Sequence, residues 1–262
     1  MKEYFSNLEL KSGFNDAAVP GSMFNYISGF SVLSLGKGKE VRLKDDDNEI
    51  GLNIFSGSCD ILTGGKSYRN LGARPDVFQG LPTGVYIPKG TEVIIKGSGV
   101  EMGVCRSKCE KETTFAVISP SEVKVAQVGK GNWAREVHTV IGMDSPSVNL
   151  ILGETLNPPG NWSGTPSHKH EKDNLPQESL HEELYYFKTE RPGGFGIERL
   201  YSPERKINEL LLLKNNTVTF MPWGYHQIVA GPGYLLYYLF FLSGAGKELK
   251  GFVDPDHAWL IK

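Results

Sequence analysis

The sequence predicts an all-β chain built as two copies of one small β domain. Three observations carry this reading: a glycine- and proline-rich composition, short β runs closed by turn residues, and an internal echo between the halves. Glycine supplies 31 and proline 15 of the 262 residues, which suits many short strands joined by tight turns better than long helices. With 39% hydrophobic residues, a chain of this length can bury a core in each half.

Taken in order, the first set of strands runs from about Phe30 to Ile118. It contains FSVLSLG, GLNIFSGSCDIL, GVYIPKGTEVIIKG and TFAVISP, each bounded by Gly, Pro, Asn or Asp. The second set opens near Arg135 with REVHTVIG and continues through VNLILGETL, EELYYFKTE, GFGIERLY, TVTFMPWGYHQIV and YLLYYLFFLSG. The expected division is 1–128 and 129–262. The echo lies between VYIPKGTEVII and TFMPWGYHQIV, each a β run, then Pro-x-Gly, a polar position and a second β run. That polar position is Glu92 in the first copy and His226 in the second.

Function is distributed unevenly. All six histidines, His138, His168, His170, His181, His226 and His257, lie in the second half. The first half therefore has no imidazole for a transition metal, and packing, oligomerisation or shielding of the other domain's mouth is the role left to it. The net charge of -2 comes from 28 basic and 30 acidic residues mixed along the chain, which argues against nucleic acid or anionic lipid as a partner. The opening MKEYFSNLELKSGFND has no continuous apolar stretch, and no later run approaches the ~18 apolar residues of a membrane helix. A cytoplasmic protein is expected. Cys59, Cys105 and Cys109, an odd number, fit reduced core or turn thiols better than disulfides or a zinc pair.

The strongest chemical signal is PSHKHE. On a strand, alternate residues share a face, so His168 and His170 point together while Lys169 points away. Glu183 enters the aromatic run of LHEELYYFKTE on the face of Tyr185 and Phe187, where a cation would compensate its charge. His226 follows the MPWG turn, which can bring a distant strand back across a barrel. Each feature alone has an ordinary explanation, as a solvated strand end or a satisfied core histidine; together they form a candidate set of four ligands.

This ordered set of His-x-His, Glu and His resembles the metal site of the cupins, small β barrels that hold Mn, Fe, Zn or Ni. Twelve residues, EKDNLPQESLHE, separate His170 from Glu183 where a typical cupin has about three, so the ligand could be Glu182 or Glu183, with Glu183 fitting the E-x-x-Tyr run. The segments PGNWS, PSHKH, NLP-x-ES and GPGY-x-LYYL look very much like the 5-deoxy-glucuronate isomerase family of inositol catabolism, related to the zinc-containing 5-keto-4-deoxyuronate isomerases. The likeness spans the second half; LFFLSG departs from the family, which has an asparagine and a small-residue turn after LYYL.

The resemblance implies a bicupin of two double-stranded β-helix barrels and an aldose-ketose isomerisation through a metal-bound enediolate. It also implies a divalent metal, with zinc expected first and Mn or Fe as alternatives. Glu182 and Tyr185 are the expected proton carriers. Arg135 and Arg199 are the expected partners of a substrate carboxylate, because arginine offers a bidentate match. A non-catalytic sugar-acid-binding cupin and an Fe(II) cupin dioxygenase are the competing readings. GSGVEMG and GAGKELKG lack the spacing and context of a dinucleotide site, and YLLYYLFFL reads as a buried strand.

Overall fold

The computed structural model describes residues 4–19 and 23–261. The first half forms one eight-stranded antiparallel sheet running from Gly13–Asp16 to Ala116–Ile118. Its two longest strands, Asn48–Thr63 and Val93–Lys108, pair along most of their length. Register shifts between Ile54 and Ser58 bend the pair, so the sheet closes around an apolar core that includes Leu33, Ile50, Leu52, Ile87 and Val104.

The second half has two sheets. The larger contains, in spatial order, Phe5–Asn7, Thr217–Met221, Glu178–Thr189, Leu236–Gly244, Leu150–Asn157, Arg135–Ile141 and Lys124–Val128, with Glu171–Asn174 joined to the Glu178 strand. The smaller contains Ile207–Leu213, Gly196–Ser202, Tyr225–Ala230, Trp162–Lys169 and Phe252–Val253. Sheet membership thus changes between Ile118 and Lys124, ahead of the expected division at 128. The chain's first strand, Phe5–Asn7, is also given to the second barrel, pairing with Thr217–Met221. The LFFLSG departure causes no break, since Leu236–Gly244 is continuous and buried except at Phe240.

The barrels pack sheet on sheet. Phe30, Phe55, Tyr86 and Cys105 of the first meet Leu152, Leu184, Tyr186, Tyr237 and Phe241 of the second in one core cluster, and the Phe55 and Tyr186 rings stack at 5.2 Å. Strand Glu178–Thr189 is therefore covered on both faces. Leu184 and Tyr186 face the first barrel, while Tyr185 and Phe187 belong to the core inside the second.

A local two-fold relation organises this interface. Glu49 pairs with Ser107 in the first barrel and Glu182 with Ser243 in the second, and the two serine hydroxyls meet at 2.6 Å. Glu182 accepts backbone N–H donations from Asn25, Tyr26 and Ile27 at 2.5, 2.8 and 2.9 Å. Glu49 accepts the equivalent trio from Val148, Asn149 and Leu150 at 2.7 to 2.9 Å. Each carboxylate is thus satisfied by the start of a strand in the opposite barrel. Beside them Arg74 grips Glu154 through two 2.8 Å bonds, and Asn53, Tyr237 and His138 complete that carboxylate's shell. Burial opposes the charge on Glu154, but Arg74 and His138 hold its pKa down at about 2.

Candidate metal centre

Three strands build the site. Trp162–Lys169 carries His168 and leads directly to His170, Glu178–Thr189 carries Glu183, and Tyr225–Ala230 carries His226. His168 and His226 are cross-strand partners, which places their rings together with centroids 5.1 Å apart. The turn before His226 depends on Gly224 at φ +87°, a conformation glycine adopts without penalty. The matching turn of the first barrel has Gly90 at φ +74°.

The twelve residues after His170 form a hairpin, with Glu171 opposite Leu180 and Asn174 opposite Glu178. Its return arm clamps His170: the His181 N–H donates to the His170 carbonyl, and His170 Nδ1 lies 2.8 Å from the His181 carbonyl. The insertion therefore extends the sheet and fixes His170 while leaving Glu183 in reach.

All three imidazoles are oriented in one way. His168 Nδ1 faces the Pro166 carbonyl at 3.1 Å, His170 Nδ1 that of His181, and His226 Nδ1 that of Gly224 at 3.2 Å. A carbonyl only accepts, so each Nδ1 carries the proton and each Nε2 keeps a lone pair for a metal. Ligand atoms of the three histidines lie within 4.8 Å of one another, close to the ~3–4 Å separations that bonds of about 2.1 Å to one ion require. Glu183 Oε2 joins them, 3.0 Å from His170 Nε2 and 3.1 Å from His226 Nε2.

This arrangement asks for a cation. His226 Nε2 is buried and makes no hydrogen bond despite its closeness to Glu183, so two electron-rich atoms face each other with nothing between them. Burial, reinforced by His226 and His170, drives the His168 pKa down to about 4, which keeps that ring neutral. Burial likewise opposes the charged forms of His170 and Glu183, but their mutual contact outweighs it: His170 is raised and Glu183 is held below the usual carboxylate range. The donor set of three neutral imidazoles and one carboxylate fits a divalent transition metal.

The other sequence-derived candidates divide. Tyr185 is inside the barrel, its ring 6.0 Å from His226 and 5.0 Å from Tyr238. Burial and then the Glu183 charge push its phenol well above the usual range, so it stays protonated, a hydrogen-bond donor and a weak acid. Glu182 is not in the site: alternation turns it to the opposite face, where three amides of the first barrel hold it. Arg199 is also displaced. It shares the outer face with Tyr201, lies 4.0 Å from that ring and donates from Nε to Asn208, while its neighbours Glu198 and Leu200 are fully buried. Arg135 is half-buried, donates to the Trp133 carbonyl and has a buried Nε with no partner. Its charge also reaches Tyr238 inside the barrel.

One buried carboxyl group inside the second barrel escaped sequence reasoning. Glu198 is 0% exposed and neither carboxylate oxygen has a hydrogen-bond partner. Burial, aided by the charge of Glu183 and opposed by the Thr219 hydroxyl, raises its pKa to about 8. The available signal was the phase of GIERLY, where a carboxylate alternates with Leu200 on one face. Cys59, Cys105 and Cys109 are buried free thiols, with burial raising each of their pKa values. Among the described residues no helix is long and apolar enough to cross a membrane.

Comparison with known proteins agrees with this construction. Residues 15–260 match the KduI/IolB family. The chain is 38% identical over 236 residues to the 5-deoxy-glucuronate isomerase of Geobacillus kaustophilus, covering 89% of this chain and 86% of that protein. Against the enzyme of the same name from Bacillus subtilis strain 168 it is 31% identical over 251 residues, covering 95% and 92%. An IolB-like protein from Salmonella typhimurium LT2 superposes with a TM-score of 0.94 at 28% identity over 99% of both chains. The oxalate decarboxylase of Lactobacillus farciminis, at 11% identity, superposes with a TM-score of 0.68 over 95% of this chain and 88% of that one, a likeness of fold alone. The fold is a bicupin, and the chain belongs to the KduI/IolB family.

Proposed function

We propose that this KduI/IolB chain converts 5-deoxy-D-glucuronate into 5-dehydro-2-deoxy-D-gluconate, an aldose-ketose step of myo-inositol catabolism carried out in the cytoplasm. That it is a sugar-acid isomerase follows from its family and from relatives named 5-deoxy-glucuronate isomerase. The observation that carries the mechanism is the convergence of three Nε2 lone pairs on a buried carboxylate. His168, His170, Glu183 and His226 would hold one divalent metal, zinc first and Mn or Fe as alternatives. When bound, the metal would supply Lewis-acid stabilisation of the negative charge that grows on the two substrate oxygens.

The chain's own residues do the rest. The three backbone carbonyls hold the imidazoles in one tautomer and orientation, so the site is preorganised before substrate arrives. Tyr185, kept protonated by burial and by Glu183, can donate a hydrogen bond to an oxyanion forming beside it. Arg135, with an unpartnered buried Nε, is the cation we assign to the substrate's carboxylate. The division of labour, and a domain boundary between Ile118 and Lys124, belong to the same proposal. So do the two remaining options for the first barrel, pairing with a second copy and shielding the mouth.

The test is turnover. Metal-loaded protein incubated with 5-deoxy-D-glucuronate under strict anaerobiosis should give the keto acid, followed by proton NMR. A requirement for oxygen would replace the isomerase by the dioxygenase reading. Binding of the sugar acid without conversion would favour the non-catalytic one.

A further inference from the structure

The isomerisation needs a group that takes a proton from one carbon and returns it to the next, and neither carrier expected from sequence fills that role. Glu182 is committed to three amides of the first barrel, and Tyr185, packed between His226 and Tyr238, is the group assigned above to the forming oxyanion. The four candidate ligands would be committed to the metal. What remains inside the second barrel is the carboxyl of Glu198, fully buried and without a full hydrogen bond.

Glu198 sits on Gly196–Ser202, two residues before Leu200, which is the cross-strand partner of His226. At about 3.3 Å per residue it therefore lies roughly 7 Å along the barrel from the level of His226, on the same inward face. The strand's alternation confirms that direction, with Ile197 and Arg199 outside and Glu198 and Leu200 fully buried. Its cross-strand neighbours are apolar, Leu211 on one side and Ile228 on the other. The polar groups that face it are Glu183, Tyr185 and Thr219, all buried. Thr219 is opposite Tyr185 in the sheet, and its Oγ1 also lacks a hydrogen-bond partner.

A barrel-interior carboxyl whose one hydroxyl neighbour, Thr219, acts on it without forming a full hydrogen bond is costly to bury, and apolar residues would fill the same space at no such cost. The first barrel does so: its core positions include Ile50, Leu52, Ile54 and Val85. A persistent cost of this kind beside a metal centre marks a functional group.

Resting on the isomerase reading above, we infer that Glu198 is the catalytic proton carrier of this site. In the forward leg Glu198 takes the proton from the hydroxyl-bearing carbon beside the aldehyde. The C–H electron pair becomes the carbon–carbon double bond and the carbonyl pair moves onto the aldehyde oxygen. In the return leg the double-bond pair takes a proton from Glu198, exchanged with solvent in the interval, at the former aldehyde carbon. The hydroxyl proton of the second carbon passes to the first oxygen, leaving a ketone and a primary alcohol.

The test uses the full metal-loaded chain and Glu198→Gln, which keeps the side chain's size and removes its proton chemistry. The expected result is a kcat lower by at least about 100-fold, with KM and bound metal per chain nearly unchanged. Washout of deuterium from the labelled carbon beside the aldehyde should slow by the same factor, and product formed by wild type in deuterated water should carry label at the new primary alcohol carbon. If the Gln variant does not fold, Glu198→Asp retracts the carboxyl by one methylene and should lower kcat and washout together while retaining metal. A Gln or Asp variant with kcat and washout within a few-fold of wild type overturns the assignment, as does direct hydrogen transfer with no solvent label in the wild type. Wild-type inertness toward 5-deoxy-D-glucuronate would instead contradict the substrate reading. Washout from other aldoses and uronic acids then compares the same chains, and equal rates overturn the role of Glu198.

Discussion

In the first barrel Ile50 occupies the place that Glu183 takes in the second. The register makes the equivalence exact to the residue: Ile50 lies opposite Ile87 and Arg106, and Glu183 opposite Met221 and Leu242, one position beyond the matched Glu49 and Glu182. Two positions further on, Leu52 stands where the second barrel has Tyr185. Glu92, at the position of His226, pairs with Arg42 at the surface with both side chains more than half exposed. The first interior is apolar throughout these positions. Of the nine unpartnered buried polar atoms among the described residues, seven fall in the second half, from Arg135 to His226. The comparison teaches that the interface latches are common to both copies, while buried polar groups without partners are concentrated in the copy that carries the candidate metal site.

The sharpest way to break this contrast is to place a ligand carboxylate in the wrong barrel. Ile50→Glu buries a charge in an apolar core that has no histidine to share it, and the expected loss of stability is on the order of 3–5 kcal/mol. The buried carboxyl would have a folded pKa above its unfolded one, so stability should partly recover as pH falls through that interval. Urea unfolding at neutral and acid pH checks both parts, and metal content should not rise.

The latches come next. Glu49→Gln and Glu182→Gln each weaken a carboxylate that accepts three backbone amides, and each should cost about 1–3 kcal/mol. The pair separates architecture from chemistry: Glu182→Gln should also weaken metal binding about tenfold through its neighbour Glu183, whereas Glu49→Gln should leave metal affinity alone. Equal metal affinities in the two variants would mean that the first barrel does not help to place the ligand.

The smallest effect is electrostatic. His138 lies between Glu154 and Glu136, at 3.0 and 2.8 Å; burial disfavours its charge, but the two carboxylates prevail and raise its pKa above 6.5. Its contribution to stability is complete below the unfolded value and fades as pH rises through the folded one. The contribution of Glu154 is complete above 4.5 and is lost as pH falls toward about 2. Unfolding midpoints should therefore decline from pH 6 to pH 9, and His138→Gln should flatten that decline.

Much of this was legible in the sequence, for reasons that identify what was not. His168, His170 and Glu183 could be placed because strand side chains alternate, and His226 because the Pro-x-Gly turn recurs with a positive-φ glycine in both barrels. Arg199 was misplaced by one step of the same alternation. In GIERLY the outer face is also partly covered, since Tyr201 is buried there and donates to Asp254 near the chain's end, so neither phase looked exposed. Glu182 could not be read locally, because its partners Asn25 to Ile27 come from the other barrel. The close pass of Gly251 over His168, where a Cβ would come within 2.7 Å of the ring, is equally invisible to any local pattern.

The central claim is that one barrel alone binds a catalytic metal, through His168, His170, Glu183 and His226. Anomalous diffraction from crystals of the full, metal-loaded chain tests it most directly. The account predicts one strong peak per chain, within about 2.0–2.3 Å of the three Nε2 atoms and of the Glu183 carboxylate, and its loss together with turnover in His226→Ala. A peak in the first barrel, or full turnover in the His226 variant without metal at this cluster, would contradict it.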